Sequence, residues 1–182
     1  MAQIDTSKMR PGTRVEIDGD PHVITQYDHM KPGKGGAIVR LKLKSLTSGA
    51  VIDRTLKSGA SLPRAEVNET RMQYLYSDGE RGVFMDQSSY EQVEIGLSGI
   101  DGADLLADGC EVEVLVHNGV PVSAQLPNFV ELEVAETDPP EKGGKLKPAR
   151  LETGAGLQVP SFVARGERVR VDTRTRKYVE RA

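Results

Sequence analysis

At 182 residues, with 19 glycines, 10 prolines and aromatics at only 4 %, the chain has room for one large domain or two to three small ones, rich in turns and with an aliphatic core. Its net charge of −3 argues by itself against a nucleic-acid binder, and its one cysteine, Cys110, excludes a disulfide framework within the chain. No apolar run approaches the ~18 residues of a membrane span, and Met1 to Asp5 show no charged-then-apolar leader, so a cytoplasmic protein with no membrane contact is expected.

Residues 11–64 read as a small β barrel. Thr13 to Ile17 and Val23 to Tyr27 are strand-like and are joined by a turn at Asp18-Gly19-Asp20-Pro21. Next comes Met30-Lys31-Pro32-Gly33-Lys34-Gly35-Gly36-Ala37. Pro32 fixes φ and Gly33 can take φ > 0, which suits a tight turn with Lys34 at its tip. A solvated hairpin tip is the plain reading; a lone amine on a thin stalk, able to enter a narrow space, is the sharper one. A phosphate-binding P-loop is excluded, since Gly35 stands where Ser or Thr should follow the lysine, and Ile38 replaces the third glycine of a dinucleotide fingerprint.

The strand from Ile38 to Leu46 has the clearest alternation in the chain. Val39, Leu41 and Leu43 point one way, and Arg40, Lys42 and Lys44 the other. This gives an apolar core side and a cationic stripe beside the Lys34 loop. Thr47-Ser48-Gly49 turns the chain into Val51 to Leu56, and Ser61 to Arg64 reads as a linker.

A second β unit follows. Met72, Tyr74 and Tyr76 alternate, Ser77 to Glu80 turns, and Val83-Phe84-Met85 pairs back. The tyrosines are assigned to the core, because their acidic neighbours would repel phosphate. Ser98 to Ala107 is read as a short helix weakened by Gly99 and Gly102. Val112, Val114 and Val116 alternate with Glu111 and Glu113, and Asn118-Gly119 signals a hairpin into Val120 to Leu126.

The third unit starts near Asn128, with Val130, Leu132 and Val134 alternating with Glu131 and Glu133. Thr137 to Gly144 is a loop; Leu157 to Phe162 and Arg168 to Val171 are strands. Arg174, Arg176 and Lys177 then sit beside Tyr178, a cluster suited to backbone contact and stacking on RNA. The units are divided at 1–64, 65–128 and 129–182, and they hold 11 Lys+Arg against 6 Asp+Glu, 2 against 12, and 11 against 9. Basic ends around an acidic middle suggest two separated contacts with a polyanion; ordinary charge heterogeneity is the competing account. No catalytic constellation emerges: His22, His29 and His117 lack ligand spacing, and no nucleophile elbow appears.

Over essentially its whole length the sequence resembles the bacterial translation elongation factor P family. The matching residues are Pro32-Gly33-Lys34-Gly35, Met72-Gln73-Tyr74-Leu75-Tyr76, Phe84-Met85-Asp86, Pro148-Ala149-Arg150-Leu151-Glu152-Thr153-Gly154, Val159-Pro160-Ser161-Phe162 and Val171-Asp172-Thr173-Arg174-Thr175. The resemblance implies an all-β fold: an SH3-like (KOW-type) barrel, then two OB-type barrels, in an L-shaped, tRNA-like arrangement. It implies a monomeric, non-enzymatic accessory factor without a cofactor. The factor would bind the 70S ribosome and its rRNA beside P-site tRNA and relieve stalling at consecutive prolines. Lys34, with Pro32, Gly33, Gly35 and Gly36, would form the functional loop, and Lys34 would carry a covalent extension added by a dedicated enzyme, as in many members. RNA contacts would come from Lys31, Arg40, Lys42, Lys44, Arg174, Arg176 and Tyr178. The loop 140–147 departs from the family by lacking a Gly-Asp-Thr segment, so codon-side contacts are not carried over. The runner-up function is a KOW/OB protein, or a paralogue, that binds another structured RNA.

Overall fold

The computed structural model describes residues 2–182. The described residues form strands and turns, with no α-helix, and no helix long and apolar enough to cross a membrane. The first 63 residues give β1 (Gln3–Asp5), β2 (Arg14–Ile17), β3 (Asp20–Met30), β4 (Ile38–Ser45), β5 (Val51–Lys57) and β6 (Ser61–Pro63). Strands β2 to β5 form a sheet in sequence order, and β1 pairs with β6 in a separate ribbon. Ser61–Pro63, read as linker from its sequence, is therefore a strand: Gln3 lies opposite Pro63 and Asp5 opposite Ser61. A three-residue strand has no period to detect, which is why the sequence hides it.

The alternation of β4 is realised. Val39, Leu41 and Leu43 are buried with Ile4, Met9, Val15 and Ile24 in one apolar cluster, while Arg40 and Lys42 face solvent. Asp18 and Gly19 both have positive φ, 52° and 79°, so the β2–β3 turn is a two-residue type I′ connection. Pro21, expected in the turn, already pairs with Glu16 as part of β3.

The second sheet holds β7 (Val67–Ser77), β8 (Arg81–Asp86), β9 (Gln92–Gly96), β10 (Glu111–His117) and β11 (Val120–Gln125), in the order β11-β10-β7-β8-β9. Phe84 is fully buried at its centre, with Tyr74 tilted against it at 5.5 Å between ring centres. Tyr74 belongs to the core as expected; Tyr76 does not, since a register shift between the two turns it outward. The expected helix at 98–107 is instead two 3-10 turns, Leu97–Gly99 and Ala103–Leu105. Gly102 between them takes a left-handed conformation, φ 75°, which a continuous α-helix cannot hold.

The third sheet holds β12 (Phe129–Thr137), β13 (Leu146–Leu151), β14 (Gly156–Pro160), β15 (Arg168–Asp172) and β16 (Lys177–Arg181), in the order β14-β13-β12-β15-β16. Its core gathers Val130, Leu132, Val134, Leu151, Val159, Val169 and Val171. One member comes from outside: Leu105 of the second unit is inserted into this cluster and is 1 % exposed.

Candidate nucleic-acid interface

Strands β3 and β4 stay paired as far as Met30 opposite Ile38, and residues 31–37 close the hairpin beyond that last rung. Lys31 to Gly36 are all exposed. The left-handed residue is Gly35, φ 107°, and not Gly33 as the tight-turn reading required. A seven-residue closure spreads the chain reversal, so no Pro-Gly corner is needed. Among the described residues Lys34 has no hydrogen-bond or ion-pair partner, nor has Lys31.

Arg40 and Lys42 continue this surface down β4. Asp28 lies opposite Arg40 and Asp53 opposite Lys42 across the neighbouring strands, yet neither cation closes an ion pair. The charged ends thus remain available to an anion outside the molecule.

The other cations of the sequence-based set are placed differently. Lys44, the third of the stripe, donates to the carboxylate of Asp101 in the second unit. Arg176 grips both oxygens of Asp104, with Nη1 donating to Oδ1 at 2.8 Å. The guanidinium holds the Asp104 carboxyl below its ordinary range, and Asp104 in turn raises Arg176. Arg174 donates to Asp172 at 3.0 Å and lies over the ring of Phe129 at 5.4 Å, where Arg170 also stacks at 4.6 Å. Tyr178 is half-buried against the third core, and that burial raises its hydroxyl pKa. The structure therefore joins Lys31, Lys34, Arg40 and Lys42 on one free surface of the first unit. It does not add Lys44, Arg174 or Arg176 to them as free cations.

Sequence reasoning missed the seams between units. His117 Nε2 donates to Glu16 Oε1 at 2.8 Å, with side-chain exposures of only 6 % and 10 %. Arg14 donates to Glu69 at 3.0 Å beside it. The odd residues of β10, Leu115 and His117, are buried as well as Val112 and Val114, because the far end of this strand also packs against the first unit. A strand buried on both faces loses the alternation that exposes it in a sequence. All three units border one cleft of about 770 Å³, lined by Arg14, Lys44, Asp101, Asn128, Thr173 and Arg176 among others. Cys110 is half-buried, and burial followed by the neighbouring Glu111 raises its pKa, so it is a poor nucleophile. Among the described residues no three His, Cys, Asp or Glu side chains converge to hold a metal.

Comparison with known proteins finds matches along nearly the whole chain. Residues 5–62 match the family model described as Elongation factor P (EF-P) KOW-like domain, residues 67–124 the Elongation factor P (EF-P) OB domain, and residues 130–181 the Elongation factor P, C-terminal model. A protein named Elongation factor P from Synechococcus sp. (strain JA-2-3B'a(2-13)) is 48 % identical over 183 residues, covering 98 % of this chain and 99 % of the relative. One from Coprothermobacter proteolyticus is 48 % identical over 185 residues, covering 98 % of each. Among solved structures, the eukaryotic translation initiation factor 5A from Methanococcus jannaschii shares the fold, with a TM-score of 0.54 and 24 % identity over 69 % of this chain and 92 % of that one.

Proposed function

The chain belongs to the elongation factor P family of translation elongation factors, and from that premise we propose that it binds the ribosome beside P-site tRNA and speeds peptide-bond formation at consecutive prolines. The observation that carries this reading is the Lys34 loop: an exposed amine without an internal partner, at the end of a long hairpin and adjoining two free cations. Lys31, Arg40 and Lys42 supply the affinity for tRNA and rRNA phosphate, and Lys34 reaches the acceptor end of the tRNA. Proline reacts slowly because its ring restricts the attack geometry. A factor that holds the peptidyl-tRNA in place lowers that barrier through orientation, with no acid, base or nucleophile of its own.

On this reading the protein is not an enzyme and works in the cytoplasm as a monomer. It needs no cofactor beyond a covalent extension of Lys34, which a separate enzyme installs and which lengthens the reach of the tip. Its partners are the 70S ribosome, P-site tRNA, rRNA and that enzyme.

The test is translation of a polyproline message with protein from the native host. Lys34→Ala removes most of the stimulation while stability stays within roughly ±0.5 kcal/mol, since an exposed tip contributes little to folding. Lys34→Arg keeps the charge, but its planar head neither fits the same slot nor accepts a lysine-specific modification, so it is impaired too. Stimulation by Lys34→Ala equal to wild type overturns the reading.

A further inference from the structure

We propose that Ser98–Leu105 of the second unit is a positioning element that sets where the Lys34 loop stands relative to the third unit; its role in activity rests on the function just proposed. These eight residues touch both neighbours. Toward the first unit the contact is backbone against backbone. A Cβ on Gly99 would lie 2.4 Å from the carbonyl oxygen of Thr47, and one on Gly49 would lie 2.6 Å from that of Ser98. Ser123 Oγ donates to the Gly99 carbonyl at 3.0 Å in a buried hydrogen bond, which seats the turn in its own sheet. Two residues on, Asp101 accepts from Lys44.

Toward the third unit, Asp104 holds Arg176 in a two-point grip, and Leu105 is inserted into the apolar core. Between these contacts, the two short turns on either side of left-handed Gly102 make a corner of fixed shape. Asp101 is 86 % exposed and Asp104 50 %, so solvent screens both ion pairs. Their part is to fix direction, while the backbone contact and Leu105 supply the seating. A second contact, His117 with Glu16, pins the other edge of the first seam. Pushing at Gly99 therefore turns the first unit about that edge. A loop that must meet the reacting tRNA end while another unit docks elsewhere tolerates little such turning, because misplacement by ~1 Å can cost two orders of magnitude in rate.

The experiment measures distance and activity on the same full-length proteins. Spin labels go at Ser58→Cys and Gln158→Cys, both exposed positions, in a Cys110→Ser background, and the distance distribution is read by pulsed electron resonance. Gly99→Ala is expected to shift the mean distance and to lower stimulation of polyproline synthesis by roughly tenfold. Asp101→Asn with Asp104→Asn, a surface change that leaves each unit folded, is expected to broaden the distribution about twofold without moving its mean. Lys44→Asp broadens it alone, and adding Asp101→Lys restores the narrow form. Unchanged distances in both Gly99→Ala and the double Asn variant overturn the joint. A shifted distance with full stimulation overturns its positioning role. A wild type that gives no stimulation sinks the function instead, while the distances still judge the joint.

Discussion

Two groups of cations in this protein have opposite fates. Those of the first unit's hairpin, Lys31, Lys34, Arg40 and Lys42, end in solvent. Those near the seams, Arg14, Lys44, Arg174 and Arg176, end on Glu69, Asp101, Asp172 and Asp104. Three of these four carboxylates belong to the acidic second unit. The charge blocks of the sequence thus have an internal use: the negative middle binds the positive ends to itself. The hairpin cations take no part in this and stay free to meet a polyanion. A basic count along a chain measures potential partners, and the fold decides how many are already engaged.

The sharpest way to break this comparison is at the seam. His117→Phe keeps an apolar ring but leaves the Glu16 carboxylate buried without a donor, which should lower stability by about 2–3 kcal/mol in urea unfolding. A loss under about 0.5 kcal/mol would mean that water reaches Glu16 and that the seam is looser than drawn. On the free surface, Arg40→Ala with Lys42→Ala should weaken ribosome binding and flatten the log–log salt dependence of the affinity by about one to two units, one per phosphate released. Arg176→Ala should change that slope by less than about half a unit, because Asp104 already neutralises this cation. Equal slopes from the two experiments would erase the distinction between free and engaged cations. Glu111→Ala with Glu113→Ala should leave binding unweakened.

The smallest effect is in acid. The Asp104 carboxyl has its pKa lowered in the folded protein by the Arg176 side chain. A depressed carboxylate contributes stability that is present above its unfolded value of about 3.9 and is lost as pH falls through the lower folded value. The pair is half exposed, so the contribution is roughly 0.5 kcal/mol. Wild type and Arg176→Ala should therefore differ by that amount at pH 6 and converge in denaturant titrations as pH falls below the ordinary carboxylate range. Lys34→Ala, at an exposed tip without an internal partner, should track wild type across the same range.

Where one face of a strand meets water, the residues announced the fold. Val39, Leu41 and Leu43 against Arg40 and Lys42 gave β4 its register, and Asn118-Gly119, with φ of 51° and 78°, gave the β10–β11 turn. The free part of the candidate surface was legible for the same reason. Signals failed where a second unit covers the outer face, as at Leu115 and His117, or where an element is too short to have a period, as in β1 and β6. The stretch from Ser98 to Leu105 misleads because its glycines look like flaws in a helix, whereas Gly99 makes room for Thr47 and Gly102 turns the corner. That Lys44 would choose Asp101, 57 residues away, is decided by packing and has no local mark.

The ribbon of β1 with β6 bears on the order in which the protein can be made. Gln3 finds its partner only in Pro63, so the first unit cannot close during synthesis until some sixty residues have emerged, while the β3–β4 hairpin is complete by Ser45. The contact that steadies that unit against its neighbour waits for His117. A nascent chain therefore displays the lysine loop early, on an unclosed and then unanchored unit, and local pairings form ahead of distant ones. An enzyme that modifies the loop would meet the lysine on this half-built chain before it meets the finished protein.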